Sequence, residues 1–159
     1  MDKLIGVISD THNLLRSQII AKLKPCDLII HAGDIGEKTV FKELNKIQKV
    51  VAVRGNMDNE LWARQLMNTE YIEFANKNIL IIHNISQFVI DPKAAGLDII
   101  IYGHSHQPAI QYFDDVLYLN PGSAGPRRFK LPISMAYLRI VEGSIFPEII
   151  KIEVKEDQI

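Results

Sequence analysis

Five short apolar runs in the first two-thirds of the chain end in side chains that can hold a metal ion, where ordinary turn residues would be expected. The run from Leu4 ends Ser9-Asp10-Thr11-His12, and the next ends Ala32-Gly33-Asp34. The third ends Arg54-Gly55-Asn56, the fourth His83, and the fifth Gly103-His104-Ser105-His106. In open α/β sheets, functional groups collect beyond the carboxyl ends of the strands, so these five segments can meet in one place.

Hydrophobic periodicity supplies the scaffold. Leu4 to Ser9 reads as a strand, and Leu14 to Lys24, with apolar residues at 14, 15, 19, 20 and 23, reads as a helix closed by Pro25. Asp27 to His31 is a second strand, Lys38 to Ile47 a second helix and Lys49 to Arg54 a third strand, the alternation of βαβ units. Hairpins follow: Tyr71 to Phe74 with Ile79 to His83 across Asn76-Lys77-Asn78, Pro108 to Phe113 with Val116 to Leu119, and Ile133 to Val141 with Ser144 to Val154. Leu97 to Tyr102 is a further buried strand. A parallel first half followed by hairpins predicts two sheets packed face to face, with helices outside at least one of them.

A chain of 159 residues fits one domain, 1–159, with its last few residues, 155–159, frayed. Lys plus Arg (18) nearly equals Asp plus Glu (19), which leaves no broad positive field for an obligate nucleic acid partner. The apolar run after Met1-Asp2-Lys3 is too short for a signal-peptide core, and no later run approaches a membrane span, so a cytoplasmic location without membrane attachment is expected. The single cysteine, Cys26, makes no internal disulfide and is expected to be a small buried hydrophobe.

The candidate ligands are two carboxylates, one amide oxygen and four imidazoles: Asp10, Asp34, Asn56, His12, His83, His104 and His106. That set is too large for one tetrahedral ion and lacks thiolate, but it suits two divalent ions of the Mn, Fe, Co, Ni or Zn kind with one carboxylate shared between them. Asp10 and His12 are two residues apart, as are His104 and His106, so in extended backbone each pair would project to one side. Glycines 33, 55 and 103 precede three of the candidates and permit sharp turns there. Each piece alone has an ordinary reading: Asp-x-His is common, Gly-Asp is a turn, and a lone histidine is a hydrogen-bonding residue. Their recurrence at five strand ends is what ordinary readings do not explain. A two-metal centre of this kind generates a hydroxide nucleophile near neutral pH and clamps both oxygens of an in-line displacement at phosphorus.

With these residues in hand, the chain resembles the calcineurin-like metallophosphoesterases, in particular the small single-domain phosphodiesterases of the YfcE type. The match runs from Ser9-Asp10-Thr11-His12 through His31-Ala32-Gly33-Asp34, Gly55-Asn56, His83 and Gly103-His104-Ser105-His106 to Asn120-Pro121-Gly122-Ser123. The resemblance implies a four-layer α/β/β/α sandwich of two mixed sheets with the metal centre at its edge. It implies that Asp10, His12 and His106 bind one ion, that Asn56, His83 and His104 bind the other, and that Asp34 bridges them. It further implies hydrolysis of a small phosphate ester by a hydroxide held between the ions, with catalysis carried through these seven metal ligands.

Two departures from the family pattern stand out. Many members have Gly-Asn-His where this chain has Gly55-Asn56-Met57, and a thioether cannot transfer a proton at neutral pH. This shifts the expectation toward diesters or acidic leaving groups, although the small-phosphodiesterase branch often lacks that histidine. The family usually shows His-Gly-His where this chain has His83-Asn84-Ile85, which is expected to alter the second site or the shape of its pocket.

Asn13, Arg127 and Arg128 are candidate substrate contacts, with an N-cap role for Asn13 and solvated loop positions for the arginines as the plain alternatives. The Asn120–Ser123 loop is either a substrate contact or a tight turn. His31 is expected to sit in the core or behind the ligands, and Trp62 and Leu66 in the core or a lid. The competing functions are a phosphomonoesterase or nucleotide hydrolase and, from a different class, a non-catalytic metal-binding scaffold of the same fold. Natural substrate, physiological metal and oligomeric state, a homo-oligomer included, are not legible in the sequence.

Overall fold

The computed structural model describes residues 2–155, so residues 156–159 of the expected frayed tail lie outside the described part. Its first sheet has the order β10-β9-β1-β2-β3 and its second β4-β5-β6-β8-β7. The strands of the first sheet are β1 (Lys3–Ile8), β2 (Leu28–His31), β3 (Val50–Ala52), β9 (Ser134–Val141) and β10 (Ser144–Lys151). Those of the second are β4 (Thr69–Phe74), β5 (Lys77–Ile82), β6 (Ile99–Ile101), β7 (Ala109–Phe113) and β8 (Val116–Asn120). Both sheets are mixed. β1, β2 and β3 run parallel, as do β5, β6 and β8, while β9, β10, β4 and β7 join antiparallel.

The core lies between the sheets. Ile5, Val7, Leu28 and Ile30 of the first sheet meet Ile79, Ile81, Ile99, Ile101, Leu117 and Leu119 of the second, all of them buried. Period-two alternation sends the intervening residues Leu4, Ile8 and Ile29 to the outer face, where α1 (Ser17–Leu23) and α2 (Lys38–Ile47) cover them with Ile19, Leu23, Val40 and Leu44. Strands buried on both faces have to be apolar throughout, which is why β1 and β2 read as near-continuous hydrophobic runs. Gly6 faces outward, and a Cβ there would collide with Leu23 and Cys26, so the glycine sets how closely α1 approaches the sheet. Cys26 is buried, as expected, and burial pushes its thiol up to about 11.

The two outer layers differ in build. The second sheet's outer face is covered by a 3₁₀ turn (Ile85–Gln87) and the loop after it, through Ile85, Phe88 and Leu97 packed on Leu80, Ile82 and Ile100. The α1 helix is shorter than the apolar stripe predicts. Leu14 turns back through its N–H onto the Thr11 carbonyl, and the helix begins only at Ser17, because the segment before it is tied into the loop after β2. Trp62 belongs to a 3₁₀ turn (Leu61–Gln65) and packs on Phe41 at 5.7 Å between ring centroids, so it and Leu66 are core and not a lid. Among the described residues, no helix is long and apolar enough to cross a membrane.

Candidate metal centre

Because β1, β2, β3, β5 and β6 share a direction within their sheets, the loops at their carboxyl ends gather along one edge of the sandwich. The loops after β1 and β2 continue the pairing beyond the strands: the N–H groups of Asp10, His12 and Asn13 donate to the carbonyls of Gly33, Asp34 and Ile35. This ladder brings Asp10 and His12 against Asp34.

All seven candidate side chains meet. Asp10 Oδ1 lies 3.4 Å from His106 Nε2 and 3.8 Å from both His12 Nε2 and His83 Nε2. Asp34 Oδ2 lies 3.3 Å from His83 Nε2 and 3.7 Å from His12 Nε2. Asn56 Oδ1, His83 Nε2 and His104 Nδ1 form a second triangle with sides of 3.0, 3.2 and 3.3 Å.

These donors fit divalent cations on two observations. Asp10 Oδ1 and His12 Nε2 are buried with no hydrogen-bond partner among the described residues, an arrangement that is costly unless something else satisfies them. His83 Nδ1 lies 2.7 Å from the Ala32 carbonyl, which requires the proton on Nδ1 and turns the Nε2 lone pair toward the centre.

Backbone conformation corrects one expectation. Asp10, His12, Asp34, His104 and His106 all have φ between 43° and 72°, so the Asp10/His12 and His104/His106 pairs converge through left-handed backbone and not through extended strand. Asp and His tolerate this region better than most residues, and such strain gathers at functional sites. Glycine 33 also has positive φ, but Gly55 and Gly103 are required for close approach: a Cβ would strike Asp34 at the first and Ser9 and Asp10 at the second.

Electrostatics keep most donors ready. Burial opposes ionisation of Asp10, but His106, the charge of His83 and the Ser9 hydroxyl 2.6 Å from Oδ2 together hold its carboxyl below the usual range. Asp34 is held low in the same way, against burial, by His83 and the Met57 N–H. Burial lowers His12, against the charges of Asp34 and Asp10, with His106 and then Arg128 adding to the lowering. His83 is raised despite burial, by Asp34 first and Asp10 next.

His31 is fully buried and is not positioned as a ligand. Its Nδ1 accepts the Gly33 N–H and its Nε2 donates to Thr11 Oγ, whose own hydroxyl is committed to the Ile35 carbonyl. Burial pushes its pKa down to about 3.

The residues of lesser standing separate clearly. Asn13 lies beside His12 in a cleft with Gly36, Met57, Asp58 and Glu60, and its Oδ1 accepts the Glu37 N–H. It does not cap α1, whose N-cap is Arg16 with no side-chain cap bond. The two arginines diverge: Arg127 bonds the Leu131 carbonyl and lines a different cleft with Lys151 and Glu153, whereas the charge of Arg128 is felt at His12. The Asn120–Ser123 loop is buried and acts from behind: Asn120 Nδ2 donates to the Gly103 carbonyl and Ser123 Oγ to the Asp10 carbonyl.

The sequence reading passed over Asp58. This buried carboxylate accepts the backbone N–H groups of Asp34, Ile35, Gly36 and Gly55 at 2.9 to 3.2 Å, locking the loop after β2 to the loop after β3. Its only local signal is a carboxylate three residues after Gly55.

Comparison with known proteins identifies the family. The model of the calcineurin-like phosphoesterase superfamily domain matches residues 4–143. A probable metallophosphoesterase of Methanocaldococcus jannaschii is 34% identical, over 94% of this chain and 82% of that protein. A phosphodiesterase of the same organism is 30% identical, over 74% of this chain and 82% of its own length. A solved structure of an archaeal phosphodiesterase has the same fold, with a TM-score of 0.79 at 24% identity over 94% of this chain and 99% of that one.

Proposed function

The chain belongs to the calcineurin-like phosphoesterase superfamily, as a metal-dependent hydrolase of phosphate esters, and from that premise we propose that it is a phosphodiesterase served by two divalent ions. Asp10, His12 and His106 would hold one ion, and Asn56, His83 and His104 would hold the other. The observation that carries this reading is the position of Asp34: a single oxygen, Oδ2, faces His12 at 3.7 Å and His83 at 3.3 Å, so one carboxylate can serve both groups. When bound, such a pair of ions (Mn, Ni, Fe, Co or Zn) neutralises phosphate charge and supplies hydroxide near neutral pH.

The chain's own residues do the rest. The Met57 N–H holds Asp34 Oδ1 at 2.8 Å, which leaves Oδ2 directed inward. Ser9 holds Asp10 Oδ2 in the same way. Asn13 lines the cleft beside His12 and the charge of Arg128 reaches His12, which supports a role for both in receiving the phosphate oxygens. Met57, 62% exposed, lines the cleft next to His12 and offers no proton, so the leaving group departs best when it is acidic. That favours diesters, or esters with acidic leaving groups, over poorly activated monoesters.

The test is Asp34→Asn, with metal content and the hydrolysis of bis(p-nitrophenyl) phosphate measured on one preparation with added Mn or Ni. We expect the variant to lose bound metal and at least about 10² in turnover, at or above the upper end of what loss of a group behind the ligands costs. A normal rate in the folded variant would defeat the two-ion mechanism.

A further inference from the structure

A cleft of about 370 Å³ opens directly off the second triangle of donors, between Asn56 and His83 on one side and the 3₁₀ turn after β5 on the other. Its wall is unusual in chemistry. Asn59, Asn68, Asn84 and Gln87 supply four carboxamides beyond Asn56, Arg54 supplies a guanidinium, and no hydrocarbon side chain lines it. The volume falls within the usual range for a small-ligand pocket.

Beside His83, the charged groups of this wall are one guanidinium and one carboxylate. Its one carboxylate, Asp58, spends both oxygens on backbone N–H groups. Arg54 is anchored by Nε to Asn68 Oδ1 at 3.2 Å, and its terminal nitrogens make no hydrogen bond among the described residues. Asn84 is oriented too: its Oδ1 accepts the Ser86 N–H and hydroxyl, which leaves the amide nitrogen as the free end of the side chain. The cleft on the far side of Asp58 is smaller, about 190 Å³, and holds the exposed carboxylate of Glu60 and the apolar Met57. The guanidinium thus stands on the Asn56 and His83 flank of the centre, and the exposed Glu60 carboxylate on the other.

The geometry points to a specificity subsite at Arg54, Asn59, Asn68, Asn84 and Gln87 for the part of the substrate beyond the reacting phosphorus, a polar group carrying a second phosphate. The substrate class is thus a phosphorylated sugar or nucleotide ester, and not an aryl or lipid diester. This rests on the phosphodiesterase reading, because it places the reacting phosphate at the seven donors. Arg54 contributes a forked pair of donors suited to phosphate, and the carboxamides contribute donors and acceptors to hydroxyl or amide groups around it.

The test is calorimetric titration of the Mn-loaded protein with adenosine 5′-monophosphate and adenosine 3′,5′-bisphosphate. The bisphosphate is expected to bind tighter by about tenfold or more, the range for a hydrogen bond to a charged group. Arg54→Gln brings the ratio of dissociation constants close to one, and Arg54→Lys keeps part of it. Asn59→Asp, an isosteric change at an exposed position, reduces the ratio by introducing an uncompensated charge. Equal affinities in the wild type, no measurable binding of either nucleotide, or a ratio that survives both Arg54→Gln and Asn59→Asp overturns the subsite. Failure of the same preparation to hydrolyse bis(p-nitrophenyl) phosphate strikes the diesterase reading itself, and this inference falls with it.

Discussion

The two halves of the centre are held to different degrees. Asp10 and His106 are 0% and 3% exposed, and the loop that carries Asp10 is fixed by Ser9, Ser123 and the ladder to Gly33 and Asp34. In the other half only His83 is buried, while Asn56 and His104 lie at the surface and meet each other mainly through their own side chains. A donor whose position is fixed by the fold before the ion arrives gives up less conformational freedom on binding. The first group should therefore hold its ion more firmly, and the second should exchange it more readily.

The most direct way to break that contrast is to remove one histidine from each half. His106→Ala should cost at least about 10² in affinity for the first ion, beyond the range seen when outer partners are lost, whereas His104→Ala should leave one ion bound per chain. Metal content after dialysis reads both, and equal losses would erase the distinction.

Asp58 is the joint between the halves. Asp58→Asn replaces one accepting oxygen by an N–H donor opposite backbone N–H groups, so metal affinity should fall by about 10- to 100-fold. Thermal unfolding of the metal-free variant should show destabilisation of about 1 to 3 kcal/mol. An unchanged unfolding profile would mean that the two loops do not depend on this carboxylate.

At the exposed rim, Met57→His should raise turnover of a weakly activated phosphate ester by about tenfold or more, because an imidazole there can protonate the leaving group. No gain in a correctly folded variant would remove this account of the missing acid.

A further prediction belongs to the buried half and is read in acid. His31 titrates near 3 in the folded chain against 6.5 when unfolded, so the unfolded state takes up the proton first. Its contribution is whole above about pH 6.5 and is lost progressively as pH falls toward 3. Urea unfolding of the metal-free protein across that window should show a shallower decline for His31→Gln than for the parent, and parallel declines would contradict it.

Much of this was legible in residue order. The α2 helix spans Lys38–Ile47 as its periodicity predicts, the three hairpins form, and the strand-end positions of the seven donors coincide with one edge of the sandwich. The left-handed φ values of Asp10, His12 and both histidines after β6 were not legible, because a two-residue spacing is compatible with more than one backbone path. Nor was the late start of α1, since an apolar stripe records which face is buried and not where the hydrogen-bonded turn begins.

The sequence by itself determined which chemical groups stand at the strand ends and which faces of the strands go inward, because side-chain type and period-two or 3.6 alternation are local properties of the chain. Only the tertiary structure decided that Asp58 locks Asp34 to Gly55, that Ser123 steadies Asp10, and that Arg127 is held on the Leu131 carbonyl. The physical reason is distance along the chain: a hydrogen bond between residues 113 apart leaves no periodic trace, and it exists only once the sheets have brought its two loops together.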